Sequence, residues 1–165
     1  MGVQRERFEE IYRQHVGAVA AYALRRAPRE MAEDVVAETF LVAWRRLDRM
    51  PEEPLPWLYE IARRTLANHR RSAARRASLA HRLEIEAPAG SAGPVDERLL
   101  DALRTLRRRD REVLMLLAWE GLTPAEAAQV LGCSPVAYRI RLHRARKRLA
   151  FALEATTFAS GELTI

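Results

Sequence analysis

In the first half of the chain, hydrophobic residues recur every three or four positions, which is the period of an α-helix. This pattern predicts a helix from about Arg5 to the turn at Pro28, a second from about Met31 to Leu47, and a third that begins near Trp57. In the first helix the pattern is set by Phe8, Ile11, Tyr12, Val16, Val19 and Tyr22. The second helix offers Val35, Phe40, Ala43, Trp44 and Leu47 for a core. In the third helix the repeating residues are Leu58, Ile61, Thr65 and Leu66.

The second half repeats this pattern after one clear break. Residues 87–94 form a small, polar and proline-flanked run that is typical of an interdomain linker. Beyond it, leucines between Leu99 and Leu106 predict one amphipathic helix, and the apolar run from Val113 to Trp119 predicts another. No segment alternates apolar and polar residues as a strand does. We therefore expect an all-α chain of two small helical domains joined by a flexible linker.

Residues 122–149 contain two helix-start signals around a tight turn. Thr123, Pro124 and Glu126 supply the N-cap, the first helical position and the acidic partner of a capping box. Gly132 ends this helix, and the Ser-Pro pair that follows repeats the start signal. Two capped helices joined by so short a turn predict a helix-turn-helix, whose second helix normally enters the DNA major groove.

The second of these helices divides into a buried and an outward face on a helical wheel. Tyr138, Leu142, Ala145 and Leu149 fall on one stripe, which we expect to pack against the preceding helices. The opposite face carries Val136, Ile140, His143, Arg144 and Lys147, and the flanks carry Arg139, Arg141, Arg146 and Arg148. Because residues 127–153 contain no acidic side chain, this surface suits base edges and phosphates better than it suits a merely solvated basic helix.

Charge and cysteine content narrow the class of protein. The 165 residues carry a formal net charge of +6, which favours a polyanionic partner without identifying it. The single cysteine, Cys133, is expected to be a small buried residue and indicates a reducing cytoplasm. The histidines have no ligand partners at metal-binding spacing, so we expect no metal and no cofactor. No segment resembles a catalytic motif or a membrane span, so we expect neither an enzyme nor membrane insertion.

A second basic segment lies in the first half of the chain. Between Glu60 and Glu84 there are seven arginines and no acidic residue. Trp57, Asn68 and His69 are interleaved with them, and such planar side chains among cations are typical of grooves that hold single-stranded nucleic acid. For Trp57 itself we favour a core position. For the arginines we favour nucleic-acid contact over a solvated face, because a basic cluster recurs on both sides of the linker.

Three motifs make the chain similar to a known family. They are Ala32-Glu-Asp-Val-Val-Ala-Glu-Thr-Phe-Leu-Val-Ala-Trp44, Pro56-Trp-Leu-Tyr-Glu-Ile-Ala-Arg63, and the segment from Glu112 to Leu149 with its Arg-Leu-His-Arg-Ala-Arg sequence. Over roughly residues 5–150, the chain resembles the extracytoplasmic-function (ECF) sigma factors of bacterial RNA polymerase. The three motifs occur in that family's order and at about its separations.

The resemblance implies that the first domain binds core polymerase and the minus-ten promoter element. The helix that carries Asp34, Glu38 and Phe40 would contact the clamp helices of the β′ subunit. The segment from Trp57 to Arg76 would melt and capture the minus-ten element. Its implied DNA-binding residues are Arg63, Arg64, Asn68, His69, Arg70, Arg71 and Arg75.

For the second domain, the resemblance implies a helix in the major groove of the minus-thirty-five element. The implied DNA-binding residues are Arg139, Ile140, Arg141, His143, Arg144, Arg146 and Lys147. Val136-Ala137-Tyr138 replaces the Gly-Thr-Val common in the family, so a bulky Tyr138 must be packed. The resemblance also implies the polymerase β flap as a contact, a role in promoter-specific transcription initiation, and an anti-sigma factor as a protein partner.

The expected boundaries are residues 1–78 for sigma domain two, 79–95 for the linker, 96–153 for sigma domain four and 154–165 for a tail. Two other classes of protein stay open. Residues 96–150 alone could support a helix-turn-helix regulator that binds DNA as a dimer without polymerase, and size-exclusion chromatography would detect that dimer. A structural-RNA-binding or chromosome-architectural protein would instead bind through its basic patches with little sequence preference.

Overall fold

The computed structural model describes residues 2–77 and 96–161, with side chains described through Ala155, and the chain divides into two compact units. Within those ranges every regular element is helical, which confirms the all-α prediction. The predicted linker, residues 79–95, lies outside the described residues. Unit 1 is described below by residues 2–77 and unit 2 by residues 96–161.

Unit 1 is a bundle of three helices in which each helix packs against the other two. Its elements are α1 (Gly2–Leu24), α2 (Arg29–Arg45), a 3-10 turn (Leu47–Arg49) and α3 (Pro54–Ala77). The helix α3 begins three residues before the predicted start at Trp57. Proline is tolerated in the first turn of a helix, where backbone N–H groups have no intrahelical partner, so the prolines of this loop open α3 instead of preceding it.

Trp44 does not lie in the core, so its predicted availability for core packing was wrong. Its side chain is 44% exposed, whereas Phe40 on the same helix is 4% exposed. The ring of Phe40 meets Tyr12 of α1 edge-on with 4.7 Å between centroids, and the ring of Trp44 meets Phe8 at 5.1 Å. Both aromatic residues of α2 therefore contact α1, but only Phe40 is covered by it.

Unit 2 is built around its last helix, which contacts all three others. The elements are α4 (Glu97–Thr105), α5 (Arg108–Ala118), α6 (Pro124–Leu131) and α7 (Pro135–Gly161). The side chain of Asp96 caps α4 by accepting a hydrogen bond from the Arg98 N–H at 3.0 Å. The core residues are small or aliphatic apart from Met115 and Tyr138, and the others include Ala102, Leu103, Val113, Leu116, Ala127, Val130, Leu142 and Ala145.

The helix α7 is longer than expected. Its backbone stays helical through Gly161, so most of the segment predicted as a tail, residues 154–165, continues this helix. The physical reason is visible in the sequence, because neither proline nor glycine occurs between Pro135 and Gly161.

A partly buried ion pair joins α5 to α7. Asp110 lies in the first turn of α5 and is 9% exposed. One guanidinium nitrogen of Arg148 donates to both of its carboxylate oxygens, at 2.8 and 2.7 Å. The contact fixes the rotation of α7 at its middle, and the carboxylate is also favourable at the positive end of the α5 dipole.

We expect Asp110→Ala to lower the free energy of unfolding of unit 2 by about 1–3 kcal/mol, because it removes hydrogen bonds to a charged group. Asp101→Ala is the matched control, since it removes the exposed pair between Asp101 and Arg104. That change should cost less than about 1 kcal/mol. Urea denaturation followed by circular dichroism measures both values, and equal losses would show that the buried pair has no special role.

Candidate nucleic-acid interface

The turn between α6 and α7 has the geometry that its sequence predicts. The Thr123 N–H donates to the Glu126 carboxylate at 2.7 Å, and the Glu126 N–H donates to the Thr123 hydroxyl at 3.3 Å. Gly132 ends α6 with φ +66°, a left-handed conformation that favours glycine. The Ser134 hydroxyl then accepts from the Ala137 N–H at 3.1 Å and starts α7. The predicted helix-turn-helix is therefore confirmed.

One face of α7 is held inside unit 2. Tyr138 and Ala145 are fully buried, and Leu142 is 6% exposed. The hydroxyl of Tyr138 donates to the Val113 carbonyl oxygen of α5 at 2.7 Å, which satisfies its only polar group. Burial raises the pKa of Tyr138 to about 12, so the hydroxyl remains a neutral donor at physiological pH. The bulky residue at this position is thus packed, as expected.

The opposite face of α7 is open to solvent. Every residue predicted to bind the minus-thirty-five element on this helix is exposed, namely Arg139, Ile140, Arg141, His143, Arg144, Arg146 and Lys147. Val136 and Ile140 are unusual for a solvated helix, since 63% and 49% of their surfaces are exposed. This surface therefore combines four guanidinium groups, one ammonium group, an imidazole and two apolar groups. The mixture matches the donors, acceptors and methyl groups that a major groove presents.

A second exposed stripe follows α3. Arg64, Asn68, Arg71 and Arg75 are all exposed, and their spacing of four, three and four residues places them on one side of the helix. The Arg71 guanidinium donates to the Asn68 side-chain oxygen, and Arg64 forms an ion pair with Glu60 at 2.6 Å. We call these four residues the α3 stripe.

Other residues predicted to bind the minus-ten element face their own protein. His69 is half-buried, and its Nε2 lies 2.8 Å from Oε1 of Glu38 on α2. Arg70 donates to the Arg26 carbonyl oxygen at 2.6 Å, in the turn between α1 and α2. Arg63 is also half-buried. The seven residues predicted for one surface thus divide into an exposed stripe of four residues and a set of three that are half-buried. Trp57, which was not among these residues and for which a core position was favoured, is only half-buried as well.

The residues predicted to contact polymerase divide in the same way. Asp34 and Glu38 are exposed on one side of α2, whereas Phe40 lies in the core, where its ring contacts Tyr12 of α1. The sequence interpretation missed Leu41 and Trp44, which expose 47% and 44% of their surfaces. Their distances of seven and ten residues from Asp34 could have placed them on its side of the helix. A surface that combines carboxylates with apolar groups repels phosphate and suits a protein partner.

Two absences hold for the described parts of both units. Their helices include none that is long and apolar enough to cross a membrane. Across residues 2–77 and 96–161, no three His, Cys, Asp or Glu residues come together in a group that could hold a metal ion.

Two helical units, one with a helix-turn-helix and the other with a basic helix beside an acidic one, define a class of DNA-binding protein that also carries a protein-binding surface. Each unit matches a known protein family. Residues 11–76 match Sigma-70 region 2, and residues 96–149 match Sigma-70, region 4.

Whole-chain relatives agree with these two matches. RNA polymerase sigma factor NccH of Alcaligenes xylosoxydans xylosoxydans is 32% identical, over 90% of this chain and 88% of its own. The ECF RNA polymerase sigma factor SigL of Mycobacterium tuberculosis is 30% identical, over 87% of both chains. The chain therefore belongs to the ECF sigma factors of RNA polymerase.

A solved structure extends the similarity to the fold. The sigma factor RpoE from Bartonella quintana, crystallised with the anti-sigma factor NepR, superposes with a TM-score of 0.75 at 25% identity. The match covers 90% of this chain and 98% of that one. Since both halves match, the family explains unit 1, which neither the dimeric regulator nor the architectural protein accounts for.

The two faces of α7 predict opposite outcomes for neighbouring substitutions. Leu142→Ala should destabilise unit 2 by about 2–5 kcal/mol, because it leaves a cavity in the core. His143→Ala removes an exposed side chain, so it should keep the fold and change promoter preference. Thermal unfolding and binding to a set of duplex sequences measure the two effects. Equal losses of melting temperature would show that the faces are assigned wrongly.

Proposed function

We propose that this chain binds core RNA polymerase and directs it to promoters through two DNA-contacting surfaces, without chemistry of its own. Residues 1–78 form the part that binds polymerase and the minus-ten element, and residues 96–153 form the part that reads the minus-thirty-five element. The observation that carries the proposal is the solvent-exposed basic and apolar face of α7, which lies opposite the stripe that Tyr138, Leu142 and Ala145 bury in the core of unit 2.

In this proposal, α7 reads duplex DNA in the major groove. Arg139 and His143 offer donors to base edges, and Ile140 offers an apolar contact to a thymine methyl group. Each good base contact contributes about 1–3 kcal/mol of discrimination. The flanking arginines neutralise phosphates, so affinity falls steeply as the salt concentration rises.

The α3 stripe holds the unpaired minus-ten strand. Arg71 donates to the side-chain oxygen of Asn68, which leaves the amide N–H groups of Asn68 directed to other acceptors, such as those on a base edge. Arg64 and Arg75 lie on either side along the helix and are placed for phosphates. The amide of Asn68 thus contacts a base, while the arginines on either side contact the DNA backbone.

The exposed side of α2 binds polymerase. Asp34 and Glu38 provide charge, and Leu41 and Trp44 provide apolar area, which is the combination found at protein interfaces. Because this side of α2 is acidic and the α3 stripe is basic, unit 1 can hold a protein on one helix and DNA on the next.

We further propose that an anti-sigma protein restrains this chain, and that both act in the cytoplasm, where core polymerase transcribes DNA. The similarity to RpoE, which was crystallised with NepR, supports this idea. A protein that co-purifies with the chain should block promoter binding when it is added to reconstituted holoenzyme in equimolar amount. If no co-purifying protein does so while both components stay folded, the regulatory part of the proposal fails.

Substitution within the α3 stripe tests the minus-ten assignment. Arg71→Ala should lower open-complex formation by reconstituted holoenzyme roughly tenfold, because it removes a charged hydrogen-bond donor from Asn68 and from DNA. Arg76→Ala is the matched control, since Arg76 is exposed on the same helix but lies off the stripe. Opening is measured by permanganate reactivity of minus-ten thymines. Equal effects of the two changes would indicate a non-specific charge contribution.

A further inference from the structure

Four consecutive residues of α3 face in two directions. Asn68 and Arg71 are exposed members of the α3 stripe, whereas His69 and Arg70 contact the rest of unit 1. The imidazole of His69 lies against α2 with 22% of its side chain exposed, and Arg70 holds the turn before α2. The segment that carries Asn68 is therefore anchored to the rest of unit 1 by the two residues that follow it.

The partner of His69 is itself part of the proposed polymerase surface. Oε1 of Glu38 lies 2.8 Å from Nε2 of His69, and 53% of the Glu38 side chain is exposed. The contact with His69 uses only one of the two carboxylate oxygens of Glu38, Oε1. A carboxylate accepts several hydrogen bonds, so Glu38 can hold His69 and a donor from another protein at once.

We infer that Glu38 is shared between the two surfaces of unit 1, so that one oxygen positions α3 through His69 while the other receives polymerase. His69 is then a positioning residue for the minus-ten contact and does not itself touch DNA. Its Nε2 is directed at α2, away from the α3 stripe. This inference rests on the proposed function and adds a physical link between its two halves.

The link has a thermodynamic consequence. A donor from polymerase that fixes the Glu38 carboxylate also fixes the acceptor of His69, so Asn68 is held ready for the strand. By reciprocity, DNA that holds α3 in place makes Glu38 a better ligand for polymerase. Substitution of His69 or of Glu38 removes the same link between α2 and α3, so substitution of both removes no further part of that link.

A double-mutant cycle in the reconstituted holoenzyme tests this inference. The chain is supplied at saturating concentration, so that weaker polymerase binding does not limit the signal, and the rate of open-complex formation is measured. We expect His69→Ala and Glu38→Ala each to lower the rate about fivefold, and the double variant to lose about fivefold as well, because contacting residues are not additive. His69→Gln, which can still donate to Glu38, should return the rate to within about twofold of the wild type.

A second cycle uses Asn68, the residue that His69 is inferred to position. Asn68→Ala alone should lower the rate about tenfold, and adding Glu38→Ala should cost clearly less than a further fivefold, because the contact between Glu38 and His69 acts through Asn68 and coupled contributions do not multiply. Thermal unfolding is recorded for every variant. If an alanine variant loosens unit 1, the same cycle with His69→Phe and Glu38→Met, neither of which can form the hydrogen bond, keeps a side chain of similar size and answers the question.

Three results would overturn the inference. Multiplying losses for His69→Ala and Glu38→Ala would mean that His69 acts independently, as a direct DNA contact does. A wild-type rate for His69→Ala would mean that the hydrogen bond is incidental. Failure of the wild-type chain to open any promoter with core polymerase would instead overturn the proposed function itself, which distinguishes the two failures.

Discussion

Burial of one face of α7 is the constraint on which unit 2 depends. The fully buried Tyr138 and the nearly buried Leu142 pack this helix against the core. The hydrogen bond from the Tyr138 hydroxyl to the Val113 carbonyl oxygen joins it to α5. The ion pair from Arg148 to Asp110 sets its rotation farther along. Because a helix is rigid, fixing one face fixes the direction of the other, so the surface offered to DNA follows from core packing. This explains how the bulky buried residues set the direction of the exposed basic face.

In unit 1, polar contacts between helices add to a core that also contains buried tyrosines, Tyr22 and Tyr59. The core of three helices sets the distance between α2 and α3, and contacts from His69 and Arg70 then set the direction of the α3 stripe. Phe40 joins α2 to α1 through its ring contact with Tyr12. In unit 1, the residues predicted to bind partners thus divide into an exposed set and a set that packs within the unit, whereas those predicted on α7 are all exposed.

Sequence alone predicts the features that depend on local signals. The capping box from Thr123 to Glu126 and the left-handed Gly132 act within a few residues, so the helix-turn-helix was predictable, as was the outward face of α7. The split among residues 68–71 was not, because it depends on where α1 and α2 lie in space. Trp44 shows the same limit, since helical spacing cannot tell a covered aromatic from one at the rim. The extension of α7 could have been predicted from its lack of helix breakers.

The central claim is that one chain supplies core polymerase with recognition of two promoter elements. Run-off transcription from a pool of promoter fragments, with reconstituted bacterial core polymerase at moderate salt, tests it most directly. The account predicts transcripts that appear only when this chain is present and whose templates share two separate sequence elements. Binding of duplex DNA without association with core polymerase and without transcripts would contradict it, and would leave unit 1 without the role that its two surfaces indicate.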